Sequence, residues 1–222
     1  MARLLLYPLK YHNQRVAMNE SIENRVAACY TNNLHYLQNN CPELYKKLSL
    51  LDLAIDEKMY EERYALEYMN DDYFDVKEIA SGDYLYGENS VVYAQSVIPE
   101  DVDIAQMQKA IFFGCGLGTH IDFIDAQAEN AKVYLIVEDN LELFRISLFV
   151  TDYAQIAKRV KIVFAVMEDK DAFETDFASF WDEFPEGNDY IPYFVFSSRY
   201  ADRIKETGSL IQSKKIATQA LA

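Results

Sequence analysis

The residues best suited to chemistry form a glycine-rich loop near the middle of the chain. A short apolar run at 111–113 leads directly into Gly114, Gly116 and Gly118, and a helical segment follows from Thr119. Glycines at alternate positions allow a tight turn, and their missing Cβ atoms let a ligand approach the backbone amides at the start of the helix. This pattern predicts a site for a nucleotide-type cofactor.

An acidic residue follows the next predicted strand at a spacing that suits the same kind of site. Glu138 lies twenty residues after Gly118, and doubly wound folds place a carboxylate about 20 residues beyond the first glycine loop, where it binds ribose hydroxyls. Asp139 has another explanation, because residues 139–142 fit a capping box in which Asp139 starts the next helix. Glu138 and the three glycines are therefore the predicted cofactor-binding residues.

The ligand itself stays open among three alternatives. A CMP-sugar is one nucleotide-type candidate. S-adenosylmethionine is another, because the run 114–118 resembles the first methyltransferase motif and Glu168-Asp169 follows the third predicted strand. Those enzymes usually carry an acid two residues before the first glycine, whereas this chain has Phe112 there. In the third alternative the loop is purely structural and filled by side chains, which the size of Phe112 and Leu117 favours.

No residue is predicted to be catalytic. Cys115 has no general base beside it in the sequence, so it is predicted to fill the tight turn. His120 either touches a phosphate or packs and caps the helix, and packing is favoured. The sequence contains no HExxH, GxSxG or Walker motif. Its three cysteines form no CxxC pair, so neither a metal site nor a disulfide framework is predicted.

The loop belongs to a regular alternation of strands and helices. Predicted strands span 111–113, 133–137 and 160–166, and predicted helices span 119–130 and 141–150. Parallel strands need crossover helices, which place helices on the faces of the sheet. The sequence therefore predicts an α/β fold over residues 101–200, a Rossmann-like open and mostly parallel sheet with helices on both faces.

A small subdomain of helices and a β-meander is predicted over residues 1–100. Apolar residues at helical spacing indicate a helix over 21–40, and Pro42 suits the first turn of a second helix through Leu48. A further helix begins near Asn89 and ends before Pro99. Aromatic runs separated by turn residues predict three strands, at 64–68, 73–79 and 84–86.

The charge balance and the apolar runs exclude several partners. The formal net charge is −15, which would repel a phosphate backbone, so no nucleic acid is predicted as a partner. The apolar run 4–6 is followed by Pro8 and Lys10 and is too short for a secretory signal, and no later stretch could span a bilayer. The sequence predicts a cytoplasmic protein without membrane association.

Four segments between residues 21 and 166 carry a family resemblance. They are Asn33-Leu34-His35-Tyr36-Leu37 leading to Pro42-Glu43-Leu44-Tyr45, then Tyr86-Gly87, then the loop at 113–121, and the run 137–148. In this order they resemble the N-terminal domain of the bacterial motility accessory factors, the Maf flagellin glycosyltransferases.

The resemblance implies a function that the residues alone do not. Members of the family are expected to transfer nonulosonic acids, such as pseudaminic or legionaminic acid, from a CMP-activated donor to Ser/Thr of flagellin in the cytoplasm. Catalysis is expected in a following domain with a Gly-Pro-Ser-Leu turn. The run Gly208-Ser209-Leu210 resembles that turn but lacks its proline, and it is assigned no role. We therefore expect an accessory portion that is not catalytic alone, with flagellin and a downstream catalytic domain as partners, and a helical tail at 201–222 leading to that domain.

Overall fold

The computed structural model describes residues 13–69 and 73–221. This part of the chain begins with two packed helices, α1 (Asn13–Asn40) and α2 (Pro42–Asp56). Pro42 occupies the first turn of α2, where its missing N–H has no helical partner to lose. The second helix continues beyond the predicted end at Leu48 because Leu51 extends its buried stripe. The apolar run 4–6 and the segment 70–72 lie outside the described residues.

The predicted three-stranded meander has only two strands. β1 (Tyr64–Tyr68) and β2 (Phe74–Glu78) pair in antiparallel register, whereas the expected third strand is reduced to a single bridge between Lys77 and Tyr84. The physical reason is the buried carboxylate of Asp75, which accepts hydrogen bonds from the N–H groups of Tyr86 and Gly87 at 3.2 Å each. These bonds hold residues 86–87 against Asp75 and end the strand pairing after Tyr84. The prediction of a third strand was therefore wrong.

An alternation of helices and parallel strands follows. Its first helix, α3 (Ser90–Ser96), is capped by Asn89 as expected and ends before Pro99. The later elements are β3 (Lys109–Phe113), α4 (Thr119–Asp125), β4 (Val133–Glu138), α5 (Leu141–Ser147), α6 (Tyr153–Ile156), β5 (Lys161–Val166), α7 (Lys170–Asp182), the 3₁₀ helix η1 (Pro185–Asp189), β6 (Tyr193–Val195), the 3₁₀ helix η2 (Ser198–Tyr200) and α8 (Ala201–Leu221).

The central sheet has four parallel strands in the order β5-β4-β3-β6. Every residue of β3 and β4 is buried, as expected for parallel strands covered on both faces. The predicted α/β class with a Rossmann-like, mostly parallel sheet is therefore confirmed. The predicted helices 119–130 and 141–150 are shorter than expected, because residues after Asp125 and Ser147 continue in tight turns with i→i−3 hydrogen bonds.

Each face of the sheet carries its own apolar core. Alternate strand residues such as Phe112 pack with α1, α2 and the hairpin on one face, whereas neighbours such as Phe113 pack with α7 and α8 on the other. The first core runs without a break between the segments 1–100 and 101–200. The division at 1–100, 101–200 and 201–222 stays a prediction.

The strand order places a reversal between β3 and β6. The chain moves from β3 outward to β4 and β5, and then returns to the other side of β3 as β6. In open α/β sheets, ligands bind outside the carboxyl ends of the strands at such a reversal. A ligand site is therefore expected at this edge of the sheet.

Candidate functional site at the glycine-rich loop

The predicted glycine-rich loop joins β3 to α4 at this carboxyl edge. Gly114, Gly116 and Gly118 have φ angles of +88°, +48° and +78°, a left-handed region that is costly for residues with a Cβ. The N–H of Gly114 donates to the carbonyl of Val137 at 2.8 Å, and Gly118 is the N-cap of α4. The connection from strand to helix is thus the one that the sequence predicted.

Glu138 ends β4 with its carboxylate against the loop. It is fully buried and accepts hydrogen bonds from the N–H groups of Cys115 at 3.0 Å and Asn140 at 2.9 Å. The hydroxyl of Tyr200 donates to it at 2.7 Å. The structure therefore brings together all four predicted cofactor-binding residues, although their role in binding a cofactor stays a prediction.

Burial controls the ionisation of this cluster. Loss of solvation raises the pKa of the Glu138 carboxyl, and the hydrogen bonds from Tyr200, Cys115 and Asn140 offset part of that rise. The Tyr200 hydroxyl also has a raised pKa, because it is buried and lies beside the Glu138 carboxylate. Tyr200 therefore remains a hydrogen-bond donor, which is the role that Glu138 needs from it.

The space above Gly114 is filled by a side chain of the same protein. A Cβ placed on Gly114 would lie 2.5 Å from Cε2 of Tyr200 and 2.9 Å from Cβ of Phe196. Such distances are far below van der Waals contact, so the glycine is required by the tyrosine ring. Tyr200 thus occupies the volume between the first loop glycine and Glu138.

The space above Gly116 is filled in the same way. A Cβ on Gly116 would lie 2.6 Å from the Tyr86 hydroxyl and 2.7 Å from Cε2 of Phe196. The Tyr86 hydroxyl accepts a hydrogen bond of 2.7 Å from the N–H of Leu117. We call Tyr86, Phe196 and Tyr200 the aromatic plug, because together they cover the loop at the carboxyl end of β3.

Gly118 is required by packing behind the loop. A Cβ there would lie 2.5 Å from Oγ1 of Thr151 and 2.7 Å from the hydroxyl of Tyr153. Thr151 also donates to the carbonyl of Leu117 at 2.8 Å. The third glycine therefore lets the residues after α5 approach the start of α4, a packing role known for this position.

The aromatic plug lies at the strand reversal. Phe196 directly follows β6, and its ring packs edge-on against Tyr86 and Tyr93 at centroid distances of 5.2 and 5.4 Å. The Tyr93 hydroxyl donates to the main-chain carbonyl of Phe196. The crevice between β3 and β6, where a ligand would be expected, is thus occupied by aromatic side chains.

Cys115 and His120 are both buried beside the loop. The Cys115 thiol donates to Glu138 at 3.2 Å, and burial raises its pKa well above the ordinary value, which does not suit a nucleophile. Neither ring nitrogen of His120 has a hydrogen-bond partner in the part of the chain that the structure describes. Burial lowers its pKa to about 4, and the nearby main chain of Gly114 offsets only part of this. His120 therefore packs as a neutral ring.

The other acidic candidates have structural partners. The helix cap predicted at Asp139 was wrong: Asn140 is the N-cap of α5 and accepts from two main-chain N–H groups, while Asp139 pairs with Arg203 of α8 at 3.0 Å. Asp169 caps α7, and Glu168 forms an ion pair with Lys47 at 2.7 Å. The pair Glu168-Asp169 therefore serves packing and capping.

Sequence reasoning missed the three plug residues. Tyr86 was named only in the predicted strand 84–86 and in the family resemblance. Phe196 ends the apolar run 190–196, to which the sequence analysis assigned no role. Tyr200 lies 62 positions from Glu138, so no local pattern connects the two. The available signal was the strand order: once the run 190–196 is placed beside β3, residues that follow it must lie over the glycine loop.

Within 13–69 and 73–221, no group of three or more His, Cys, Asp or Glu side chains is arranged to hold a metal ion. No helix in this part of the chain is both long and apolar enough to cross a membrane.

The fold defines a Rossmann-like α/β module, and the comparisons with known proteins add a family resemblance. Residues 95–183, which include the loop and Glu138, match the model of the glycosyltransferase Maf N-terminal domain. No curated protein sequence matches the chain. Residues 95–183 are therefore similar to a Maf N-terminal domain, which confirms the resemblance inferred from four short segments.

A solved structure supports the same fold. The Maf glycosyltransferase from Magnetospirillum magneticum AMB-1 superposes with a TM-score of 0.56 at 17% sequence identity, over 81% of this chain. The match covers 34% of the Magnetospirillum chain. This chain thus spans about a third of the length of the glycosyltransferase that it resembles.

Proposed function

We propose that this chain is the N-terminal accessory portion of a flagellin glycosyltransferase and is not catalytic alone. In the whole enzyme, a nonulosonic acid such as pseudaminic acid passes from a CMP-sugar to Ser/Thr of flagellin in the cytoplasm. A downstream catalytic domain performs the transfer, and the portion described here positions that domain or the flagellin acceptor. The family match over 95–183 supports the first part of this proposal.

One observation carries the noncatalytic role. Each glycine of the loop is required by a side chain of the same protein, because an added Cβ would lie 2.5–2.6 Å from Tyr200, Tyr86 or Thr151. Glu138, the acid that contacts the loop in the described part of the chain, is fully buried and already accepts bonds from the loop, from Asn140 and from Tyr200. A loop with these contacts serves packing rather than chemistry.

A second candidate function is an S-adenosylmethionine-dependent methyltransferase or another nucleotide-binding enzyme. Glu138 favours it, because its carboxylate lies at the tip of β4 beside the loop, as in sites that bind ribose hydroxyls. Phe112 disfavours this candidate, because this fully buried residue occupies the position at which methyltransferases usually carry an acid. The aromatic plug also speaks against it.

Calorimetric titration of the chain with CMP, a CMP-sugar and S-adenosylmethionine separates the two candidates. We expect no saturable heat with any of these ligands up to millimolar concentration. Micromolar binding that disappears in Glu138→Gln, with an unchanged circular dichroism spectrum, would favour the enzyme.

The accessory role is tested in the flagellated host. Mass spectrometry of intact flagellin should show loss of the glycan when the gene is deleted. The glycan should be retained with Glu138→Gln whenever the protein still accumulates to normal levels. A variant that accumulates normally but leaves flagellin unmodified would contradict a noncatalytic role for this loop.

A further inference from the structure

Two tyrosines that are far apart in the sequence form hydrogen bonds with the polar groups that would hold a nucleotide. We propose that Tyr86 and Tyr200 act as intramolecular ligands, and that they close a latent ribonucleotide site formed by the loop and Glu138. Tyr86 takes the place of a phosphate oxygen, and Tyr200 takes the place of a ribose hydroxyl. Removal of the two side chains frees the Leu117 N–H and one carboxylate oxygen of Glu138 for a ligand.

Tyr86 satisfies a loop amide as an anionic ligand would. Its hydroxyl oxygen accepts from the N–H of Leu117 at 2.7 Å and lies close above Gly116. In nucleotide-binding loops the amides near the second glycine contact the ligand phosphates, and the glycine allows this close approach. A phenol oxygen therefore stands at the position from which a phosphate oxygen would accept.

Tyr200 satisfies Glu138 as a ribose would. Its hydroxyl donates to one carboxylate oxygen at 2.7 Å, and its ring covers Gly114. The acid at the tip of the second strand in such folds accepts hydrogen bonds from ribose hydroxyls. The tyrosine supplies the same donor from the same side of the sheet.

The groups beneath the plug are held independently of it. The N–H of Cys115 bonds Glu138 at 3.0 Å, the N–H of Asn140 does so at 2.9 Å, and Gly114 is tied to β4. The plug residues instead come from the segment after the hairpin, from the end of β6 and from η2. Truncation of the tyrosines therefore leaves the loop and the carboxylate in place.

A buried histidine gives separate support for a polar ligand. Neither ring nitrogen of His120 has a hydrogen bond of normal geometry within the described residues, although the main chain of Gly114 lies nearby. The ring stacks on Phe196 at 5.9 Å. Buried polar atoms are nearly always satisfied, so an exception calls for an explanation. The ring lies against Phe196 of the plug, so these polar atoms adjoin the loop.

The experiment is a titration of the double variant Tyr86→Ala/Tyr200→Ala with AMP and with CMP, two ribonucleotides that differ in the base. We expect the variant to bind both ribonucleotides at least about tenfold more tightly than the unaltered chain, since the competing side chains are gone. Binding should weaken with the 2′-deoxyribonucleotides. It should return to the level of the unaltered chain when Glu138→Gln is added.

The control is Tyr30→Ala, which removes another buried tyrosine, one that stacks on Phe149 at 4.0 Å and hydrogen-bonds to Asp52. This variant should lose stability but gain no nucleotide binding. A folded double variant that binds no better than the unaltered chain would overturn the proposal. Binding that is unaffected by Glu138→Gln would overturn it as well.

The single variants Tyr86→Ala and Tyr200→Ala test the proposal even if the double variant does not fold. AMP should raise the melting temperature of each, because a ligand that binds the folded state stabilises it, and should leave that of Tyr30→Ala unchanged. No rise in either single variant would count against the proposal. These results are separable from the accessory role, because a plugged loop that never opens fits that role equally well.

Discussion

At the scale of single residues, one buried carboxylate joins the glycine loop to the C-terminal helix. Glu138 receives a main-chain N–H from the loop and the hydroxyl of Tyr200, which immediately precedes α8. A buried carboxylate without partners costs far more than a neutral polar group. Each of these bonds therefore contributes to the stability of the whole carboxyl edge.

Tyr200→Phe should lower the free energy of unfolding by about 1–3 kcal/mol, because the change leaves one oxygen of Glu138 without its donor. Urea denaturation followed by circular dichroism measures the loss. The matched control is Tyr190→Phe, whose hydroxyl contacts the exposed N–H of Asp103 and should change stability by less than about 0.5 kcal/mol. Equal effects of the two substitutions would contradict this account of Glu138.

Gly116→Ala should destabilise the protein more than Gly82→Ala. Both glycines have positive φ angles, so both substitutions introduce backbone strain of about 1–2 kcal/mol. Only the Cβ at Gly116 meets other atoms, those of Tyr86 and Phe196, whereas nothing lies within 4 Å at Gly82. Overpacking adds about 1–3 kcal/mol at Gly116. Denaturation midpoints that shift equally would show that the loop is open.

His120 should make the fold sensitive to acid. Its pKa is about 4 in the folded protein and about 6.5 when unfolded, so the unfolded chain binds the extra proton between these values. Stability is therefore fully present above pH 6.5 and falls as the pH drops toward 4, by up to about 3 kcal/mol.

The measurement is urea denaturation across that range, comparing the unaltered chain with His120→Leu. The variant should lose this part of the pH dependence, and the exposed His35→Gln should retain it. A variant with an unaltered pH profile would show that the ring is not held neutral in the fold.

At the scale of elements, α8 is fastened to the carboxyl edge of the sheet by its first turn. Arg203 lies over the ring of Phe173 at 4.7 Å and bonds Asp139 at 3.0 Å. It also bonds the main-chain carbonyl of Glu168. These contacts and the Tyr200 hydroxyl hold the start of the helix against β4 and α7.

Arg203→Ala should release the start of α8 without unfolding the sheet. Hydrogen exchange read by mass spectrometry should become about tenfold faster over 201–211, because bonds that involve a charged group contribute about 1.5–3 kcal/mol each. Lys215→Ala, an exposed change farther along the same helix, should leave this segment unaltered. Exchange that accelerates equally in β3 and β4 would mean that the helix and the sheet open together.

The elements were more predictable than the contacts between them. Apolar runs at 111–113, 133–137 and 160–166 predicted β3 to β5 because buried parallel strands are encoded locally. The third strand of the meander was predicted wrongly, because Asp75 accepts hydrogen bonds from main-chain N–H groups eleven and twelve residues away. Glu138 was found from its spacing, whereas Tyr200 was not, since its contact with Glu138 depends on the path of the whole chain.

At the scale of the whole molecule, the chain combines a nucleotide-type fold with a loop that its own aromatic residues fill. Residues 95–183 match the Maf N-terminal domain, and the fold is shared with part of a Maf glycosyltransferase. The formal net charge of −15 further disfavours phosphate-rich polymers as partners.

The central claim, that the aromatic plug occupies the glycine loop in solution, is tested most directly by nuclear Overhauser contacts in the isotope-labelled chain. We predict contacts from the Hα protons of Gly114 to the ring of Tyr200, and from those of Gly116 to the ring of Phe196. Both pairs should persist when CMP or S-adenosylmethionine is added. Absence of both contacts in a folded sample would contradict the account. Their loss on addition of CMP or S-adenosylmethionine would contradict it as well.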